Sequence, residues 1–472
     1  MTNAEAHFAD EIDAALALIA DASRVESSTS EDGRLPSAFA VTPLAAASVG
    51  AAAREVVGAG GLSDTTVHVD ARLASLWFGA SIQPDWEVPP MWDAIAGVYE
   101  TADGHIRLHT NLPHHRAAAV SALDSEETKE SVAAAVRRLP GSEVEERIVA
   151  AGGCAAEFRS LASWDEHPQG RAVAAEPLVH VEEGASDVRP WAPAVDRQRP
   201  LAGLKVLDLT RVLAGPVATR FMAGWGAEVL RIDPPGWDEN VVPDVALGKR
   251  CARLDLNDPH DKRTLAALIG QADVMVHGYR PDALQQLGFG PAVRQELRPG
   301  LVDVSLDAYG WTGPWAGRRG FDSLVQMSSG IAHEGMVRSG ADGPFPLPVQ
   351  ALDHVAGYLL AASALRGLQQ ARDHGTGVIA RTSLARVARL LVDGPAGSLD
   401  DALAPTAKAD LSKHVERSDW GRARRLRGPV RIGDATMAWD IDAGPLGRHR
   451  PEFGSPEAAD GASKGRWRRR PS

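Results

Sequence analysis

The chain has 472 residues, enough for two or three domains with cores of their own, and its 44% hydrophobic and 24% charged residues make an ordinary globular balance. A formal net charge of −12 excludes the domain-wide basic field that collects nucleic acid. Two cysteines, Cys154 and Cys251, exclude a disulfide framework and a thiolate metal site, and they suit the cytoplasm, where the chain is expected to work.

Residues 7–22 carry apolar side chains at helical spacing and predict a helix. The segment is acidic and lacks a basic n-region or cleavage pattern, so it does not read as a signal peptide. SRVESSTSEDGRLPS follows and reads as a linker, so residues 1–40 are expected to be an N-terminal helix and linker. PLAAASVGAAAREVVGAG, from Pro43, predicts a helix ending at Gly60–Gly61, and TTVHVDARLASLWFG predicts a short strand running into a helix. GVYETADGHIRLHTNL reads as a hairpin turning at Ala102-Asp103-Gly104. Three helices follow in HHRAAAVSALD, SEETKESVAAAVRRL and SEVEERIVAAGG. His105, His109, His114 and His115 crowd this region without an H-E-x-x-H pattern, so they read as solvated surface histidines and no metal is expected. No apolar run approaches the ~18 residues of a membrane span.

At Leu201 the text restarts. LKVLDLT is a buried-type strand, AGPVATRFMAGWGA a helix opened by Gly and Pro, and EVLRID a second strand. This is a βαβ unit of the nucleotide-binding type, with helix amides near Ala214–Pro216 available to an anion. Asp233 ends the second strand where a ribose-binding acid would stand. The turn holds one glycine, however, so a nicotinamide-dependent oxidoreductase is only a distant alternative. Further along, PLPVQALDHVAG (346–357) sets one carboxylate, Asp353, between an apolar run and the helical text YLLAASALRGLQQ. Taken alone, Asp353 reads as a helix cap, since Asp is a favoured capping residue.

Five blocks in order change that reading: LDLTRVLAGP, GAEVLRID, RPDALQQLGFG, YGWTGPW and the Asp353 segment. Together they resemble the class III CoA-transferase family, which includes formyl-CoA and carnitine CoA-transferases and α-methylacyl-CoA racemases. The resemblance implies an α/β fold, with a Rossmann-like parallel-sheet large domain plus a smaller α+β domain. It implies that Asp353 is a nucleophile at the start of a helix, moving CoA from an acyl-CoA donor to a carboxylic acid through an aspartyl anhydride and an aspartyl-CoA thioester. Coenzyme A thioester is then a substrate, with no permanently bound cofactor, and a homodimer is expected, with no nucleic-acid or membrane partner. The positions implied to contact CoA are Arg211, Leu213, Ala214, Pro234, Leu254, Asn257, Gly278, Tyr279, Arg280, Gln286 and Asp307, with Arg250 a further candidate for phosphate.

The chain departs from the family at several of these. Gly278-Tyr279 stands for an asparagine–aromatic pair, Gln286 for a basic residue, Asn257 for a lysine, Asp307 for a lysine or glycine, and Leu352 for the glycine before the nucleophile. Such losses keep a catalytically degenerate partner or CoA-binding subunit as the alternative. The racemase branch needs a histidine in G-H-D, which here reads Gly320-Phe321-Asp322, and phenylalanine moves no proton. His354, beside the nucleophile, reads as structural.

The text after Asp353 has a faint earlier echo, Arg54 with Arg366 and Leu73 with Leu384, which sets Val41 or Thr42 opposite Asp353 and leaves the first copy without a nucleophile. The expected organisation is a degenerate repeat plus small domain over 41–190, the large domain over 200–400, and a C-terminal wrap with a basic disordered tail over 401–472. The small domain thus precedes the nucleotide-binding domain, the reverse of the family's order. In the family, two chains interlink and the site forms between the large domain of one and the small domain of the other.

Overall fold

The structure, a computed structural model, describes residues 1–20, 25–30, 33–186 and 190–454. The expected basic tail at Lys464–Ser472 lies outside them. A seven-stranded sheet organises the second half. In chain order its strands are β1 (His180–Ser186), β2 (Lys205–Leu209), β3 (Glu228–Asp233), β4 (Lys249–Arg253), β5 (Val274–His277), β6 (Val302–Asp307) and β7 (Thr376–Ser383). Their spatial order is β4-β3-β2-β5-β6-β7-β1. All neighbours are parallel except β1, which runs antiparallel to β7 at the edge. Leaving aside β1, this is the doubly wound order of Rossmann-like sheets, so the α/β expectation holds. Strands such as VMVH and KVLDL are buried nearly throughout, as strands covered on both faces require.

Chain order reverses between β2 and β5, and ligands of open α/β sheets sit in the crevice at such a switch point. The loops leaving these two strands carry Arg211–Leu213 and Gly278–Arg280.

Five helices matter for the site: α1 (Val41–Ala59), α2 (Pro113–Leu123), α3 (Ala214–Gly224), α4 (Asp322–Ser328) and α5 (Ala351–His374). α5 is rich in Ala and Leu, which favour helix, and it stops at Gly375, whose φ of 69° suits glycine. It connects β6 to β7, packs on both strands, and lies against α1 and α3 in one apolar core. Arg366 of α5 grips Glu55 of α1 through two bonds of 2.6 Å.

The repeat is visible in this packing. α1 and α5 start with matching backbone, φ −77° and ψ 62° at Ala40 against φ −77° and ψ 65° at Gln350. Each is followed by a strand and then a helix capped by a polar side chain, Asp70 in the first copy and Ser383 in the second. Aligning the helix starts brings Pro43 opposite Asp353, one or two residues beyond the Val41 or Thr42 read from the echo. The first copy lacks the carboxylate either way.

An antiparallel sheet of Gly97–Glu100, His105–Leu108 and Ala155–Glu157 packs with α2 and two further helices around a separate core that includes Ile95, Ile106 and Val144. This is the smaller α+β unit. Three expectations need correction. The polar text at 23–37 is not linker throughout, because Ser27–Thr29 pairs in parallel with Val67–Val69. The stretch ending at 190 is not wholly repeat and small unit, because β1 completes the large sheet. The C-terminal stretch is more than a wrap: Gly421–Leu426 pairs with Ile82–Pro84, and Val430–Ile432 with Val67–Val69. Strands as short as these, or as basic as Gly421–Leu426, offer too little apolar pattern to be told from loop, and their backbone partners reveal them.

Candidate active site

Asp353 stands in the first turn of α5, which begins at Ala351 after Gln350. It is therefore not the cap. Its amide donates to Asp322 Oδ2 at 3.0 Å, tying α5 to the first residue of α4. Gln326 Nε2 donates to the other oxygen of Asp322, while Gln326 Oε1 accepts the Leu347 amide at 2.8 Å. Asp322 is fully buried, and Asp353 keeps part of its surface in the cleft.

Burial, and after it the charge of Asp322, hold the Asp353 carboxyl well above the usual Asp range. Burial also raises Asp322, opposed by the amides of Asp353 and Leu352, the Gln326 side chain and the Arg107 guanidinium. Two carboxylates so placed resist ionising together, and the hydrogen-bond donors favour the charge on Asp322. A positive helix N-terminus acts the other way on Asp353.

The cleft in front of Asp353 has a volume of about 360 Å³, and both units line it. The large sheet contributes Arg211, Leu213, Ala214, Gly278, Tyr279, Arg280 and Asp307, all among the positions expected to contact CoA. Leu112, His114 and His115 come from the small unit, at the start of α2. Both halves of the site thus lie within one chain. Arg318 fastens them, donating to Ala155 O at 3.0 Å and pairing with Glu145 at 3.1 Å. Gln169 and Glu176 hold the YGWTGPW loop: Gln169 donates to Tyr309 O at 2.8 Å, and Glu176 accepts the amides of Trp311 and Thr312 at 2.9 and 2.7 Å.

The loop after β2 is built on buried charge. Asp208 accepts the Thr210 amide at 2.9 Å and the Thr219 hydroxyl at 2.6 Å, and it pairs with Lys249 at 3.0 Å. Burial lowers that lysine to about 8. Val212 adopts φ 62°, a left-handed conformation that costs a β-branched residue about 1–3 kcal/mol, with its amide bonded to Glu239 at 2.9 Å. Arg211 then stands over the rings of Trp237 and Tyr279, at 4.5 and 5.1 Å, and donates to the Tyr279 hydroxyl at 3.0 Å. Asp307 stands where the family's lysine or glycine was expected. Burial raises its pKa well above the usual range.

α5 and α3 approach closely one turn beyond Asp353. A Cβ on Gly357 would lie 2.5 Å from Ala214 O and 2.9 Å from Val217 Cβ.

Several expected residues lie elsewhere. Leu254 is buried in the apolar core beyond β4. Pro234 lies outside the cleft, its carbonyl accepting from Arg253. Asn257 is bound to Asp255 and Gln286 to Asp282, both on the surface. Arg250 lines a different cavity, with His449 and Trp439. Asp233 is buried against Arg231 at 2.9 Å, which removes it from any ribose. His354 is buried and stacks on Phe78 at 4.7 Å, in keeping with a structural role.

The histidine reading also changes, since His109 and His115 are buried rather than solvated. His109 stacks face to face on Phe321 at 3.6 Å, and burial lowers its pKa to about 3, so it is uncharged at neutral pH. Among the described residues no cluster of three or more His, Cys, Asp or Glu could hold a metal ion, and no helix is long and apolar enough to cross a membrane. Asp322 and the His114–His115 pair were missed as site residues. The G-x-D block offered a signal for Asp322, whereas burial of the histidines depends on a contact more than 200 residues away.

Comparison with known proteins gives a match of residues 201–410 to CoA-transferase family III. An acyl-CoA transferase of Gibberella moniliformis is 29% identical over 338 residues, 62% of this chain and 59% of its own. The acetyl-coenzyme A transferase nodX of Hypoxylon pulicicidum is 36% identical over 193 residues, covering 39% and 32%. The succinyl-CoA:glutarate CoA-transferase of Mus musculus is 32% identical over 198 residues, covering 39% and 45%. The chain spans between about a third and three fifths of the length of these relatives.

Proposed function

From the match of residues 201–410 to CoA-transferase family III we propose that the chain moves CoA from an acyl-CoA to a carboxylic acid with Asp353 as nucleophile. One observation carries the reading: a carboxylate in the first turn of a buried helix lies in the same cleft as the loops at the sheet's switch point. The mouse relative, by its name, serves two dicarboxylic acids, and a carboxylic acid acceptor is part of this proposal.

In the proposed cycle Asp353 attacks the acyl-CoA carbonyl and expels CoA thiolate, leaving an acyl–aspartyl anhydride. The thiolate attacks the aspartyl carbonyl and releases the original acid, leaving an aspartyl-CoA thioester. The acceptor carboxylate displaces the thiolate to form a second anhydride. Attack of the thiolate on the acceptor carbonyl yields the new thioester and restores Asp353. No proton is gained or lost over the cycle. Splitting one transfer into these exchanges is the gain of covalent catalysis. The high pKa of Asp353 makes it the stronger nucleophile once ionised. Arg211 and Arg280 serve the CoA phosphates, with Arg211 held in place by the Trp237 and Tyr279 rings. CoA enters as substrate, and a cytoplasmic setting belongs to the same reading.

The test is trapping. The protein is incubated with an acyl-CoA and hydroxylamine, and its peptides are examined by mass spectrometry. A hydroxamate at Asp353 is expected. Its absence across a broad acyl-CoA panel, with no CoA binding by calorimetry, would leave the degenerate, non-catalytic reading.

A further inference from the structure

Arg319 is a cation that the proposed cycle does not use. It stands on the loop leading into α4, lines the cleft that contains Asp353, and also lines the adjoining cavity beside Glu146 and His167. Its one hydrogen bond among the described residues goes to a carbonyl, Gly152 O at 3.2 Å, and it forms no ion pair with a carboxylate there. Its side chain is exposed at the seam between the large sheet and the small unit. Its charge is felt by His114 and His115, whose pKa values are lowered first by burial and then in part by Arg319. It therefore stands on the small-unit side of the cleft, apart from the Arg211–Tyr279 pair at the sheet's switch point.

Chain geometry keeps it near the chemistry. Arg319 is three residues before Asp322, at most about 10 Å of extended chain, and Asp322 bonds the Asp353 amide directly. Arg319 and Asp353 line one cleft, so an acyl group carried on Asp353 and that guanidinium share the same space. A planar guanidinium without an acid partner suits a carboxylate, which it can hold through two parallel bonds. Leu112, Phe321 and Leu213 give the same cleft apolar lining that fits a short methylene chain.

Resting on the transferase reading above, we propose that Arg319 binds the distal carboxylate of the acyl group or acceptor, which makes short dicarboxylic acids the preferred substrates. Arg319 thus sets specificity and takes no part in the bond-making steps.

The full-length protein is assayed with butyryl-CoA as donor and either glutarate or valerate, acids of equal chain length, as acceptor. The native protein is expected to favour glutarate in kcat/KM, and Arg319→Gln to lower the glutarate-to-valerate ratio by about tenfold or more, with partial retention in Arg319→Lys. No preference for glutarate in the native protein overturns the proposal. So does an equal loss with both acids together with a raised KM for butyryl-CoA, a result that assigns Arg319 to a CoA phosphate. Glutarate binding is also measured by calorimetry, without turnover. If no acid is turned over and nothing is trapped at Asp353, the transferase reading fails. Loss of glutarate binding in Arg319→Gln would then still support the carboxylate site, and binding that is absent in the native protein or unchanged in the variant would sink it.

Discussion

The amide of Asp353 donates to the carboxylate of Asp322 at 3.0 Å, so α5 begins on a second buried acid. In the proposed cycle Asp353 acts as a carboxylate, and burial together with Asp322 raises its pKa. Activity should therefore climb with pH through a value above the ordinary Asp value of 3.8. Asp322→Asn removes the repelling charge and keeps a hydrogen-bond acceptor, so the acid limb of the kcat/KM profile should move to lower pH. An acid limb that stays in place would show that burial alone raises the nucleophile.

The same shift has a price in stability. A carboxyl raised in the folded protein contributes stability fully below its unfolded pKa and loses it as pH rises through the folded value. Asp353→Asn should abolish transfer and, at pH 8, raise Tm by roughly 2–4 °C. The gain should shrink as pH falls toward that of the ordinary carboxylate range. Melting curves across pH check both statements.

Much of this site was legible in the sequence. The βαβ unit, the helix beginning just ahead of Asp353 and the loops with Arg211 and Tyr279 are local texts, in which apolar pattern and helix-breaking residues coincide with the final elements. Asp322 and Phe321 were legible as a motif, yet what they touch was not. Asp322 meets an amide 31 residues later, and Phe321 covers a histidine that, taken alone, reads as surface. Pro234, Leu254, Asn257 and Gln286 show the complementary error. A matching position fixes a place along the chain, while burial and local hydrogen bonds decide where the side chain goes.

Arg211 offers a binding test. Arg211→Gln loses the charge that stacks between two rings, and KM for acyl-CoA should rise by about tenfold with a smaller change in kcat. Steady-state kinetics with acyl-CoA and acceptor varied in turn separate this from a general loss of structure.

Leu112, His114 and His115 reach the cleft from the chain that supplies Asp353, so each copy is expected to work with its own small unit. Mixing Asp353→Ala chains with chains carrying both His114→Ala and His115→Ala should restore no activity after joint refolding. Recovery toward a quarter of the native rate would instead reveal exchange of small units between copies.

The buried Arg366–Glu55 pair joins the two repeat copies, and Glu55→Ala should lower the unfolding free energy by about 3–5 kcal/mol. Denaturant titration measures it. A loss below about 1 kcal/mol would mean that the apolar contact between α1 and α5 suffices.

At Gly357 a missing atom works as a gauge. Ala214 O would lie 2.5 Å from any Cβ there, so the backbone of the nucleophile's helix rests directly on the helix that opens at the β2 loop. That contact is a matter of backbone approach, apart from the loops that shape the rest of the cleft. Changes at residues such as Arg319 and Phe321 leave it untouched, whereas even one methyl group at position 357 would push α5 and α3 apart one turn from Asp353.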